Sequence, residues 1–147
     1  MSDLGRTPAP VALVDDNVHS ARLFLRALAG YGYRARWLGN GDRAARALDA
    51  IFSGGNEAPP QLIVVDLKQR TGATAAFIAR FGRSAQKMGS TLVAMVPSLA
   101  AEYRQDVLHA GAAAVFERHA ERAQYHREIG ALIEFWGRAE RPRRVGS

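Results

Sequence analysis

The sequence predicts a doubly wound α/β domain in which five strands of a parallel sheet alternate with five helices. Short apolar runs bounded by proline, glycine or polar residues recur along the chain, and such runs are typical of strands buried on both faces of a parallel sheet. Stretches with apolar residues at helical spacing lie between them. Alternation with short links favours right-handed crossovers between parallel strands.

The first half of the chain contains two predicted strands and two predicted helices. Gly30 and Gly32 act as stop signals for the first helix, and Asn40 with Asp42 forms a turn and cap before the second. The second strand alternates polar and apolar residues, as expected of an outer strand. The predicted elements are strands at about 11–15 and 33–38, and helices at about 18–30 and from Asp42 to Phe52.

The second half repeats the alternation after a loop rich in glycine and proline at residues 53–60. The last helix has the clearest amphipathic pattern, and we expect its apolar stripe to pack in the core. The stripe consists of Tyr125, Ile129, Leu132, Ile133 and Trp136. We expect Trp37 and Trp136 to be packing residues rather than platforms for nucleic-acid bases. The predicted elements are strands at about 61–66, 91–96 and 113–116, and helices at about 73–82, 100–110 and 120–136.

Composition limits the class of protein. The 147 residues suffice for one domain, and no apolar run approaches the roughly 18 residues of a membrane span. The chain contains no cysteine, which excludes disulfides and thiolate metal sites. Residues 1–9 resemble a flexible lead rather than a secretion signal, and we expect a cytoplasmic protein.

Carboxylates follow two of the predicted strands. Asp15 and Asp16 end the first strand, and Asp66 ends the third. Because parallel strands place their carboxyl ends at one edge of the sheet, the three acids should converge and repel one another unless a cation joins them. An all-oxygen cluster suits a hard ion, so the sequence predicts a Mg²⁺ site centred on Asp66. The alternative is helix capping by Asp16 or Asn17 and solvation of the loops.

Residues 10–137 resemble the receiver domains of bacterial two-component response regulators, in particular the stand-alone chemotaxis regulators. The resemblance implies a flavodoxin-like sheet with strand order 2-1-3-4-5. The motifs that carry it are Val14-Asp15-Asp16-Asn17, Val64-Val65-Asp66-Leu67 and His109-Ala110-Gly111-Ala112.

The resemblance also implies a chemistry. Asp66 would accept a phosphoryl group from a histidine kinase or a histidine phosphotransfer protein, as a carboxylate nucleophile assisted by a metal ion. Mg²⁺ would be held by Asp15, Asp16, Asp66 and the backbone carbonyl of Lys68. The face formed by helix 4, strand 5 and helix 5 would then bind a downstream protein. Enzymatic activity would be limited to self-phosphorylation and slow self-dephosphorylation.

Three positions depart from the pattern of that family. Pro97 stands where a hydroxyl residue is expected, with Ser98 one residue later as a possible substitute or as the cap of helix 4. Arg118 replaces a lysine, and its planar guanidinium is not equivalent to an ammonium. Arg118 could contact the phosphoryl group, lie on the surface, or pair with Asp66, which would lower the pKa of Asp66 and compete with metal. Val115 takes the place of the aromatic switch residue of strand 5.

Three functions remain open at this point. The first is a single-domain response regulator that signals through protein contact. The second is a phosphorylation-independent pseudo-receiver that serves as an adaptor or a homodimerisation unit. The third is nucleic-acid binding by the arginine-rich tail at residues 138–147, part of a net charge of +6; a solvated end is the preferred interpretation, so nucleic acid is an unlikely partner. A nucleotide enzyme is disfavoured because no glycine-rich loop follows the first strand.

Overall fold

Five parallel strands form one sheet in the order β2-β1-β3-β4-β5, with helices on both faces. The computed structural model of the protein describes the backbone of residues 9–146 and the side chains of residues 9–139. The predicted fold class and strand order are confirmed. In chain order the elements are β1 (Val11–Asp15), α1 (Val18–Gly30), β2 (Ala35–Gly39), α2 (Gly41–Phe52), β3 (Leu62–Asp66), α3 (Ala73–Met88), β4 (Thr91–Val96), α4 (Ala101–Ala110), β5 (Ala114–Glu117) and α5 (Arg122–Gly146).

The three central strands are buried along their whole length, which is why their sequences are continuously apolar rather than alternating. β2 lies at the edge of the sheet, as predicted, and leaves Arg36 and Trp37 exposed. The register of β1 against β3 places Asp15 directly beside Asp66. The sheet therefore brings these two carboxylates to the same edge.

Asparagine side chains cap the N-termini of α1 and α2. The side-chain oxygen of Asn17 accepts the backbone N–H of Ser20 at 2.9 Å, and that of Asn40 accepts the N–H of Arg43 at 3.0 Å. Each bond satisfies a donor that the first helical turn leaves unpaired. Because Asn17 caps α1, Asp16 is released for another role.

Two apolar clusters cover the sheet. One lies between the sheet and α2, α3 and α4, and includes the rings of Phe77 and Phe81. The other lies under α1 and α5 and contains the predicted α5 stripe, whose members Ile129, Leu132 and Trp136 are buried. The assignment of Trp37 as a packing residue is wrong, since this side chain is 38% exposed on the edge strand.

Two helices are longer than predicted. α3 passes through Gly82 and ends at Gly89, whose φ of +82° terminates it. Gly82 lies inside α3 near the end of α4, where a Cβ would make an ordinary contact, 3.8 Å from the carbonyl oxygen of Ala110. α5 continues past the predicted end near residue 136. Residues 1–8 of the predicted lead, and the side chains of the predicted tail from residue 140 onward, lie outside the described residues.

Among the residues that the structure describes, no helix combines the length and the apolar character needed to cross a membrane.

Candidate functional site

Asp15 and Asp66 form the base of an acidic pocket at the carboxyl edge of the sheet. They end neighbouring strands in register and are 0% and 3% exposed, respectively. Two carboxylates buried side by side repel each other, and each loses its hydration. The pocket therefore needs positive charge close by.

Lys68 supplies that charge. Its Nζ donates hydrogen bonds to Oδ1 of Asp15 at 2.6 Å and to the backbone carbonyl of Asp66 at 3.0 Å, and it lies 3.3 Å from Oδ1 of Asp66. The side chain is 21% exposed. Lys68 follows Asp66 by two residues, so the turn after β3 directs the ammonium back over the strand ends.

Asp16 has a different role from the other two acids. Its Oδ2 accepts the backbone N–H groups of Lys68 at 3.0 Å and of Gln69 at 2.9 Å, and its Oδ1 lies 3.1 Å from the same Lys68 nitrogen. Nearby, the hydroxyl of Thr74 accepts the N–H of Leu67 at 2.9 Å. The carboxylate of Asp16 thus holds the loop between β3 and α3 from across the pocket.

Arg118 provides a second cation from the other side. Its guanidinium forms an ion pair with Oδ1 of Asp66, and its backbone N–H donates to the carbonyl of Val96 at 2.8 Å, which holds the end of β5 against β4. Of the three roles considered for Arg118, the ion pair with Asp66 is the one present. Oδ1 of Asp66 therefore faces both Lys68 and Arg118.

Burial raises the pKa of Asp66 above its ordinary value, and the charge of Asp15 adds to this, although Lys68 and Arg118 act in the opposite direction. Arg118 lowers this pKa, as expected of the ion pair, but loss of hydration outweighs the two cations. Burial, and then the charges of Asp66 and Asp15, also raise the pKa of the Tyr125 phenol at the start of α5. Tyr125 therefore stays protonated at neutral pH.

The pocket does not fit a divalent cation while Lys68 is in place. Its ammonium contacts both Asp15 and Asp66, and both oxygens of Asp16 face backbone N–H groups. Among the described residues no group of three His, Cys, Asp or Glu side chains is arranged to hold a metal ion. Within the part of the chain that the structure describes, Oδ2 of Asp15 is buried without a hydrogen-bond partner. Mg²⁺ bound by Asp15, Asp16, Asp66 and the Lys68 carbonyl stays a prediction.

Ser98 is not brought to Asp66. Its hydroxyl accepts the backbone N–H of Ala100 at 3.1 Å, in the turn that precedes α4. The prediction that Ser98 caps this helix is wrong, because Ala100 is the N-cap residue and no side chain among the described residues caps the first turn. Pro97 lines a cavity of about 240 Å³ between the β3–α3 loop, the end of β4 and α4. Lys68 and Arg118 line the same cavity, and both also contact the buried carboxylate of Asp66.

β5 divides its two apolar side chains between the clusters of the sheet. Val115, at the position of the expected aromatic switch residue, packs toward the cluster under α2, α3 and α4. Phe116 is buried in the cluster under α1 and α5, with its ring centroid 6.0 Å from that of Phe135. The aromatic ring of β5 therefore lies on the opposite face of the sheet from the expected switch position.

Sequence reasoning missed two contacts of this pocket. The family resemblance assigns Lys68 only a backbone carbonyl ligand, whereas its ammonium contacts both Asp15 and Asp66. Trp37 was treated as a packing residue, yet its Nε1 donates to the backbone carbonyl of Asp15 at 2.9 Å. Neither the sheet order nor the charge pattern of the sequence indicated that second contact.

No family model matches the sequence, and no curated protein matches it. Solved structures do match the fold. The phosphorylated cyanobacterial phytochrome response regulator RcpA is 19% identical with a TM-score of 0.69, over 88% of this chain and 94% of its own. The Mn²⁺-bound form of response regulator Rcp1 is 16% identical with a TM-score of 0.66, over 88% and 94%.

The chemotaxis response regulator CheY4 of Vibrio cholerae is also similar, at 16% identity and a TM-score of 0.65, over 88% of this chain and 99% of its own. These structures are receiver domains, and the matches extend over nearly their whole length. At this level of identity they establish the architecture alone. The chain therefore has the fold of a response regulator receiver domain.

Proposed function

We propose that the chain is a receiver-like signalling module that acts by protein contact, with an acidic pocket held in one state by its own lysine and arginine. The observation that carries this proposal is the environment of Asp66. This carboxylate is buried, and its Oδ1 contacts both Lys68 and Arg118. The phosphorylation-independent adaptor is thus the function that the geometry supports best.

The physical reason is that the Asp66 carboxylate would have to be available as a nucleophile for phosphorylation. A carboxylate that attacks phosphorus must present an oxygen lone pair to the incoming group in line with the bond that breaks. In this chain Lys68 and Arg118 contact Asp66 and also line the adjacent cavity, and they neutralise the carboxylate before any phosphoryl group arrives. The ion pairs would have to open for the reaction to proceed.

The second candidate is a single-domain response regulator in a phosphorelay, with a histidine kinase or a histidine phosphotransfer protein as donor. It is favoured by the receiver fold and by the position of Asp66 at the end of β3. In that reaction the Asp66 carboxylate would form an oxygen–phosphorus bond while the phosphorus–nitrogen bond of the donor breaks. Lys68 and Arg118 would then face the transferred phosphoryl oxygens.

Intact mass measurement separates the two candidates. After incubation with a small phosphoryl donor, with and without Mg²⁺, we expect no phosphoryl adduct on the wild-type protein, because Asp66 remains paired. The same incubation with a phosphorylated histidine phosphotransfer protein tests whether phosphoryl transfer requires docking of a protein donor. The Asp66→Ala variant is the control for labelling elsewhere. An adduct that disappears in that variant would establish the second candidate instead.

We further propose that the protein contact uses the face formed by α4, β5 and α5. Leu99, Tyr103 and Leu108 are exposed apolar side chains at and along α4, and they suit a protein partner or a second copy of the chain. We expect sedimentation velocity over a concentration series to show self-association of the wild type that is weaker in Tyr103→Glu. Leu23→Glu on α1 is the matched control for an added charge. If sedimentation does not depend on protein concentration, a second copy of the chain is excluded and the partner of this face is a different protein.

A further inference from the structure

We propose that Lys68 is a built-in counter-ion that takes the place of a divalent cation, so that the acidic pocket is closed to metal ions while its ammonium is seated. The ammonium meets Oδ1 of Asp15 at 2.6 Å, the carbonyl of Asp66 at 3.0 Å and Oδ1 of Asp66 at 3.3 Å. These three oxygens belong to two adjacent strand ends. A single positive charge thus joins the carboxylates that a metal would otherwise have to join.

The backbone of the loop that carries Lys68 is held in place by hydrogen bonds. Asp16 accepts two successive backbone N–H groups of this loop, those of Lys68 and Gln69. Thr74 at the start of α3 bonds Leu67 through both its hydroxyl lone pair and its hydroxyl hydrogen. The backbone on either side of Asp66 is therefore anchored, and only the Lys68 side chain has to move for the ammonium to leave.

Electrostatic repulsion opposes the binding of a divalent cation while the Lys68 ammonium occupies the acidic pocket. A divalent cation bound to Oδ1 of Asp15 or Asp66 would lie within a few ångströms of the ammonium, where like charges repel strongly in a poorly hydrated site. Arg118 adds a second positive charge on Asp66. Three carboxylates face two cations in the pocket, so the net charge that could attract a metal ion is −1 rather than −3. This inference does not depend on whether Asp66 accepts a phosphoryl group.

The first test uses the wild-type protein and the fact that Lys68 and Lys87 are its two lysines. Lys87 is exposed in the last turn of α3. Under limiting amine-reactive reagent, peptide mapping should show Lys68 modified roughly tenfold or more slowly than Lys87, because its ammonium is held by Asp15 and Asp66. Millimolar Mg²⁺ or Mn²⁺ should leave that ratio unchanged. A selective rise in Lys68 modification with metal would show displacement of the ammonium and overturn the proposal.

The second test removes the ammonium. We expect Lys68→Met to bind Mn²⁺ roughly tenfold or more tightly than the wild type in a calorimetric titration, because two carboxylates lose their shared counter-ion. Lys87→Met is the matched control and should behave as the wild type. Lys68→Arg, which keeps a positive charge, should also bind weakly. Equal Mn²⁺ affinity in the wild type and Lys68→Met would contradict the proposal, and the lysine mapping decides it independently if that variant does not fold.

Discussion

Replacing Lys68 with methionine is expected to lower the free energy of unfolding by about 3–5 kcal/mol in a buffer that contains a chelator, since removing one partner leaves a buried charge uncompensated. Asp15 would lose its cation altogether, because its Oδ2 has no partner within the described residues and its Oδ1 bonds Lys68. Asp66 would keep Arg118. Urea-induced unfolding followed by circular dichroism measures the change.

Two variants show that this loss comes from the unpaired charge. Lys87→Met removes the exposed lysine and should change stability by less than about 0.5 kcal/mol. Asp15→Asn combined with Lys68→Met removes both charges and should regain most of the loss, because no ion is then left without a partner. If Lys68→Met were as stable as Lys87→Met, the ion pair between Lys68 and Asp15 would make no measurable contribution to the free energy of unfolding.

The second large effect concerns the attachment of α1 to the sheet. Leu28 is 0% exposed in the cluster under α1 and α5, and we expect Leu28→Ala to lower the free energy of unfolding by about 2–5 kcal/mol through lost burial and the cavity left behind. The same denaturant experiment measures this. The expected loss lies in the range for buried leucines because both the sheet and α5 surround this position.

Leu23 offers a control on the same helix. Its side chain is 50% exposed, and the change of helix propensity from leucine to alanine is the same at both positions. Leu23→Ala should therefore remain within about 0.5 kcal/mol of the wild type. Similar losses at the two leucines would mean that α1 does not present the described face to the sheet.

The architecture was predictable because apolar periodicity and burial agree along the chain. Continuous runs such as Leu62–Asp66 require two covered faces, and the alternating strand lies at the edge. Helix ends were harder to predict. The sequence predicts that the third helix ends near residue 82, but α3 continues to Met88 and ends at Gly89.

The acidic pocket was only partly predictable. Strand ends located Asp15 and Asp66 together, since parallel topology dictates where those ends meet. The direction of a long side chain is not set by topology, and the reach of Lys68 back over its own strand depends on the turn that follows β3. The pKa of Asp66 depends on a balance between burial and two cations, which the identities of the residues alone do not settle.

The indole of Trp37 has a consequence for optical measurements. Its N–H bonds the backbone carbonyl of Asp15, while its ring is partly open to water on the edge strand. Trp136, the other tryptophan, lies on α5 and is buried against the sheet. The two fluorophores therefore occupy environments of different polarity. Emission at the long-wavelength side of the spectrum should come mainly from Trp37 and report on the end of β1. This emission is an intrinsic probe of the pocket that needs no label.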